Sequence, residues 1–376
     1  LTRAVEKRLV SDVPFGAFLS GGIDSSAVVG LMARVNNTPV HTFSVVFDEE
    51  KFSEERYAKL VAKKFNTRHT AIRLRPDDML RMLPEALAAM DHPSVDGPNT
   101  WVVSKVTKEA GITMALSGLG GDELFAGYDV FSRTLGLLKN NWITYLPKPI
   151  RAAAGAAYKG ARRTAAANKA AELLRARSFA IEDTYPLSRL TFTNAELRGF
   201  TRTHHLPPNA VQEVVSTLLH QENGGTLPLL SQVSIAELAT YLPNVLLRDT
   251  DQMSMAHALE VRVPFLDHEL VEFVLGVNDR QKFPHTPKQL LVESLGDLLP
   301  HEIVDRPKMG FTLPWEQWMR TALKSYCESR LRSLGRRSEF NPNGLDALWQ
   351  RFLAGDKRIT WSRVWYLVVL ADWLDR

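Results

Sequence analysis

Ser20-Gly21-Gly22-Ile23-Asp24-Ser25-Ser26, read SGGIDSS, stands between an apolar run (Val13, Phe15, Ala17, Phe18, Leu19) and a run of helical character (Ala27, Val28, Val29, Leu31, Met32). That succession predicts a strand, a tight turn and a helix. In such a junction glycines let backbone approach an anion closely, while hydroxyls and the unpaired amides of the first helical turn supply donors at a positive dipole end. A pyrophosphate fits there. Asp24 is out of place beside phosphates unless a divalent cation lies between them, and magnesium is the cation that resolves the repulsion.

Working outward, the first 140 residues alternate strand-like and helix-like runs, the pattern of a parallel sheet covered by helices. Val40 to Phe47 reads as a second strand, Ser53 to Phe65 as a helix, His69 to Leu74 as a third strand and Thr113 to Leu116 as another. Ligands of such sheets lie at the carboxyl ends of the strands. SGGIDSS and the later SGLGGDE (Ser117–Glu123) can therefore face one crevice, with Asp122 as a second magnesium ligand beside Asp24. Other phosphate loops are excluded: the chain has no Gly-Lys pair, and Gly118–Glu123 departs from GxGxxG at its last position.

With 376 residues, 45% hydrophobic and 23% charged, the chain has the composition of a globular protein with room for two lobes. No apolar stretch approaches the ~18 residues of a membrane helix, and no segment resembles a signal peptide, so a cytoplasmic location is expected. The single cysteine, Cys327, excludes an internal disulfide or CxxC site and reads as a buried structural thiol in a helix over Ala322–Leu331. A formal charge of +4 does not call for nucleic acid. Pro147–Arg177 is alanine-rich and basic, with Lys148, Arg151, Lys159, Arg162, Arg163, Lys169, Arg175 and Arg177 against Glu172 alone; it reads as helix with a solvated face, contact with an acidic partner or a membrane surface being the alternative. From Val233 the pattern is again helical, with Trp349, Trp361, Trp365 and Trp373 expected to pack a C-terminal bundle.

SGGIDSS resembles the pyrophosphate loop of the ATP pyrophosphatase superfamily, whose members cut ATP between the α and β phosphates. Three further blocks, ALSGLGGDELFAGY (Ala115–Tyr128), LLRDTDQMSMAHALEVRVPFLDHELVEF (Leu246–Phe273) with PKQLLVESL from Pro287, and RPKMGFTLPWEQWM from Arg306, resemble the synthetase domain of glutamine-hydrolysing asparagine synthetases. The blocks follow the family's order across almost the whole chain. The resemblance implies a doubly wound α/β sheet of the adenine nucleotide alpha hydrolase-like type over 1–140, a helical insertion over 141–232, and a helical part over 233–376.

Carried over by position, it implies that Phe18, Leu19, Ser20, Gly21, Gly22, Asp24, Ser25, Ser26, Val45, Ser117 and Gly118 contact ATP. Asp24 and Asp122 would hold Mg2+, and Lys308 would face the charge developing on the phosphates. Asp251, Glu260 and Arg262 match the family's helical motif and join the catalytic candidates, the last two also readable as a supporting ion pair. Asp96, Asn99 and Lys288 are candidates for reading the acceptor.

The activity so implied is adenylation of a carboxylate, expected to be aspartate, followed by transfer of ammonia or an amine. An internal amide-forming cyclase of the β-lactam synthetase or lasso-peptide type, a tRNA-modifying enzyme and a non-catalytic interaction module are the alternatives. Leu119 departs from the family, which carries an acid there able to orient or deprotonate ammonia, and an apolar side chain does neither. The family's N-terminal glutaminase domain is not in this sequence, which begins at Leu1 and reads as one domain of a longer polypeptide. Expected partners are therefore a small carboxylate substrate, a glutaminase domain or subunit and a second copy in a homodimer, with no membrane and no nucleic acid.

Overall fold

The computed structural model describes residues 1–46, 54–203, 205–221, 226–283, 285–307 and 313–376. Its contacts divide the chain into two compact units that do not follow chain order. The first comprises 1–91, 96–128 and 226–313, the second 92–95, 129–225 and 314–376.

The first unit is built on a five-stranded, all-parallel sheet in the order β3-β2-β1-β4-β5. Its strands are β1 (Phe15–Phe18), β2 (His41–Val46), β3 (Arg68–Arg73), β4 (Met114–Leu116) and β5 (Glu260–Arg262). The expected α/β class and the four strands read from sequence are present to within about two residues, Phe47 lying outside the described residues. Helix α1 (Thr2–Arg8) precedes the sheet. Between the strands run α2 (Ile23–Val35), α3 (Glu55–Lys64), α4 (Pro76–Ala88) and α5 (Gly97–Glu109).

Pleating separates the side chains of β1 and β4 onto two faces. Ala17, Leu19, Met114 and Leu116 enter a core with Val28, Val29, Leu31 and Met32 of α2 and Ala58 and Val61 of α3, while Phe18 packs with Phe43 and Ala115. Gly16 lies in register with both His41 and Ala115, and a Cβ there would fall 2.9 Å from the His41 carbonyl. The central strand thus needs glycine to accept its neighbour.

β1 and β4 are adjacent, and from this pair the sheet winds outward in both directions, to β2 and β3 on one side and to β5 on the other. This reversal is the topological switch point at which doubly wound folds bind ligands. The two glycine-rich loops follow these two strands.

The second unit is helical. It contains α7 (Asp129–Lys139), a short 3-10 helix at Asn141–Tyr145, α8 (Lys148–Ala161) and α9 (Ala165–Arg175). The basic segment is thus two helices and not one, because the Thr164 hydroxyl accepts from Ala167 N and starts α9 afresh. At the C-terminus Trp349 and Trp365 are buried, and Trp365 stacks on Trp315 with centroids 4.5 Å apart. Trp373 is partly exposed, so the expected aromatic core gains Trp315 and loses Trp373. Cys327 is buried in helix Lys324–Gly335, as its setting predicted.

Candidate active site

The first loop leaves β1 with Leu19 N donating to the Phe43 carbonyl (2.8 Å). Gly21 has φ +74°, and a Cβ there would lie 2.6 Å from Tyr57 Cβ and 2.7 Å from Ala58 N. Only glycine satisfies both demands. Gly22 then caps α2, its N–H donating to Ser20 Oγ (3.2 Å), while Ser25 Oγ lies 3.1 Å from Ser20 Oγ and donates to the Gly22 carbonyl (3.2 Å). Ser26 is fully buried, and its hydroxyl has no partner among the described residues.

The second loop leaves β4 with Ser117 N donating to the Arg262 carbonyl (2.9 Å), and Leu119 N reaches back to Ser117 Oγ (3.3 Å). Gly120, at φ +92°, turns the chain into the short helix α6 (Gly121–Leu124). A Cβ on Gly118 would lie 2.9 Å from Ser25 N, and one on Gly121 would lie 2.6 Å from both Cγ and Oδ1 of Asp24. The glycines let one loop lie directly on the other. Nearly a hundred residues of separation are closed by backbone contact.

Asp24 and Asp122 consequently meet, and the atom between them is Lys288 Nζ. The Lys288 ammonium donates to Asp24 Oδ2 and forms an ion pair with Asp122 Oδ1 at 2.6 Å. Burial alone would lower its pKa, but the two carboxylates outweigh that and raise it, so the ammonium stays charged. The backbone of Lys288 is left-handed (φ 62°) and its N–H is fixed by the Phe125 carbonyl at 3.0 Å. Gly127 completes the enclosure: a Cβ there would fall 1.9 Å from Asp122 Oδ1 and 2.3 Å from Lys288 Cε.

Beside this pair Glu123 is buried, and burial pushes its carboxyl up to about 7 while it accepts a 3.0 Å hydrogen bond from Tyr128 Oη. Next to the first loop, the buried Arg306 guanidinium lies over the Tyr57 ring, 4.4 Å from its centroid, and is bonded to Glu54. Its Nη2 would be 3.7 Å from a Cβ on Gly22, which places a fixed cation at the start of α2.

The residues expected from sequence separate into groups. Ser20, Gly21, Gly22, Asp24, Ser25 and Ser26 are brought together with Ser117, Gly118 and Asp122. Phe18, Leu19 and Val45 lie at the carboxyl ends of β1 and β2; the Leu19 side chain is buried in the core and is not presented to a ligand. Asp96 is the N-cap residue of α5 and Asn99 stands in its first turn; α5 packs against helix Arg248–Met255, where Asp251 is exposed.

Glu260 and Arg262 are not helical: they form edge strand β5, because Glu260 N donates to the Thr113 carbonyl and the Arg262 carbonyl accepts from Ser117. Arg262 pairs with Glu260 at 2.6 Å, and its Nη1 donates to the Arg8 and Val10 carbonyls at the end of α1 (2.9 and 2.8 Å). Lys308 lies outside the described residues.

Two participants are not among the residues expected from sequence: Arg306, which opens the block RPKMGF two residues before Lys308, and Gly127, which nearly closes ALSGLGGDELFAGY. Lys288, expected at the acceptor, pairs with Asp24 and Asp122.

The family model described as asparagine synthase matches residues 1–375. Over 85% of this chain and 48% of its own length, a Mycobacterium tuberculosis (strain ATCC 25618 / H37Rv) protein named "Putative asparagine synthetase (glutamine-hydrolyzing)" is 33% identical. Asparagine synthetase (glutamine-hydrolyzing) 1 of Bacillus subtilis is 27% identical over 98% of this chain and 57% of its own length, and amidase chyE of Penicillium rubens is 27% identical over 85% and 52%. The chain spans about half the length of the curated relatives it matches. On the match from end to end and the two loops joined at the switch point, the chain belongs to the asparagine synthase family.

Proposed function

We propose that this chain is the ATP-cleaving, amide-forming part of a carbon-nitrogen ligase. A substrate carboxylate oxygen attacks the α-phosphorus of ATP, the bond to the β-phosphate oxygen breaks, and pyrophosphate leaves. Nitrogen then attacks the acyl carbon of the adenylate, AMP departs, and the attacking amine gives up a proton.

The observation that supports this reading is the meeting of Asp24 and Asp122 across one cation at the switch point. Carboxylate oxygens are the hard donors that magnesium takes, usually one or two of them together with phosphate oxygens and water. Among the described residues no three His, Cys, Asp or Glu side chains gather as a metal cage. That suits an ion which arrives with its nucleotide. Bound there, magnesium would neutralise charge on the phosphates.

The chain's own groups account for the rest. The Ser20, Ser25 and Ser26 hydroxyls and the amides of the first turn of α2 bind the pyrophosphate, and Arg306 adds positive charge at the same end. Lys288 holds the two carboxylates together and, as nucleotide arrives, serves as a further cation beside it. Lys308 stabilises the phosphoryl charge as it grows, and Ser117 and Gly118 hold the nucleotide from the second loop. Aspartate is the proposed acceptor, with ammonia supplied by a glutaminase domain or subunit. Leu119 favours, as second reading, an acceptor carrying its own amine, because no acid stands there to handle ammonia.

Pyrophosphate release with ATP, magnesium, ammonia and a panel of acids tests both readings. Dependence on aspartate supports the first, and stimulation by an amine-bearing acid without ammonia supports the second. Silence with every acid, or release of orthophosphate and ADP, refutes the ligase.

A further inference from the structure

Between Asp129 and Glu172 the sequence holds eight basic residues and no acidic one. Two of the eight turn inward: Arg151 donates to the Leu146 and Ala176 carbonyls, and Lys169 to the Ser188 carbonyl. Arg133, Lys139, Lys148, Lys159, Arg162 and Arg163 remain exposed. Charge alone fits a solvated face, which is how the sequence reads.

The structure adds an apolar surface to that charge. The inner face of α8 is fixed against α9, where a Cβ on Gly155 would lie 3.2 Å from Ala171 Cα. The opposite face, Ile150, Ala153, Ala154, Ala157, Tyr158 and Ala161 at spacings of three and four, is exposed throughout. It continues into the preceding 3-10 turn. Trp142 is 60% exposed, Tyr145 85%, Ile150 54% and Tyr158 47%, and with Leu146 they make five of the eleven large hydrophobic side chains exposed among the described residues. Seventeen residues of a 376-residue chain hold nearly half of them. Such clustering marks an interaction surface.

We infer that the outer face of α8 and the Asn141–Tyr145 turn form a docking surface for an anionic lipid bilayer. A short helix of modest hydrophobicity, with aromatic rings in and beside its apolar stripe and lysines and arginines on its other exposed faces and just past its end, is the combination that lies in a membrane interface. The absence of any carboxylate from Val130 to Ala171 gives charge complementarity to an anionic leaflet, and it disfavours pairing with the same patch of a second copy. No described helix is long and apolar enough to cross a membrane, so the contact is peripheral.

The test is co-sedimentation of the 376-residue chain with vesicles of phosphatidylcholine, with and without phosphatidylserine. The chain is expected to pellet with the anionic vesicles at least tenfold better than with the neutral ones, and tryptophan emission to shift to the blue. Replacing Lys148, Lys159, Arg162 and Arg163 by Gln lowers that binding well over tenfold, each basic residue near an anionic surface being worth roughly fivefold in partitioning.

The pair Trp142→Ala and Tyr145→Ala lowers it at least tenfold with every charge retained, and Trp142→Phe removes the blue shift. These side chains are exposed, so unchanged circular dichroism is expected to show that the variants fold. No preference for anionic vesicles, or binding indifferent to Trp142 and Tyr145, overturns the proposal. Capture by polyglutamate without vesicle binding overturns it too and assigns the face to an acidic protein.

Discussion

Replacing Gly127 by alanine is expected to disable the site while leaving the fold standing. A Cβ at this position would be 1.9 Å from Asp122 Oδ1 and 2.3 Å from Lys288 Cε, where ordinary contact begins near 3.4 Å. The carboxylate must therefore retreat by about 1.5 Å and the lysine methylene by about 1.1 Å. Both atoms are the far ends of rotatable side chains, so the cost is that of off-rotamer torsions, roughly 0.5–1.5 kcal/mol each. The consequence for chemistry is larger, because misplacing a positioned group by about 1 Å can cost a hundredfold in rate.

Urea unfolding and pyrophosphate release, measured side by side, separate the two effects. We expect a stability loss of no more than about 3 kcal/mol with turnover down by about two orders of magnitude. Gly136→Ala is the control, since it lies inside α7 with nothing within 4 Å of the added carbon and should stabilise by up to ~1 kcal/mol without touching turnover. Turnover within threefold of the parent in a folded Gly127→Ala protein would refute the reasoning.

Lys308→Ala is predicted to slow AMP and pyrophosphate formation by about a hundredfold to a thousandfold, the effect of losing one fixed charge-stabilising group, with ATP affinity little changed in a direct titration. Lys282 is buried, its ammonium bonded to Ser231 with Asp279 nearby, and burial lowers its pKa from 10.5 to about 8, against the pull of Asp279. The unfolded chain then binds more protons between pH 8 and 10.5, so stability relative to Lys282→Met should rise across that window, by about 3 kcal/mol at most, in unfolding midpoints taken at pH 7.5 and 10. Cys327 is buried with its thiol pushed up to about 12, so it should stay inert to a disulfide reagent at pH 8 until the chain is unfolded in urea.

The parts of the fold legible in sequence are those whose signal is local. SGGIDSS announces its own strand, turn and helix, and the apolar runs of β2, β3 and β4 are bounded by turn residues. β5 was not legible because three residues carry no periodicity, and Glu260 and Arg262 become a strand only by pairing with β4. The same holds for the site. Asp24 and Asp122 follow from two similar loops and the rule of strand ends, whereas Lys288 arrives from 264 positions away in a left-handed conformation that sequence gives no reason to expect of a lysine. Gly118 and Gly121 are visible as glycines, but their purpose, the seating of one loop on the other, exists only in three dimensions.

The central claim is that Asp24 and Asp122 serve one magnesium-bound nucleotide. Calorimetric titration of ATP with magnesium into the parent chain, Asp24→Asn, Asp122→Asn and the double variant tests it as a cycle. Two groups sharing one ligand should be coupled, with the double variant departing from the sum of the singles by about 1 kcal/mol or more. Additivity within ~0.5 kcal/mol, or binding that neither substitution weakens, would contradict it.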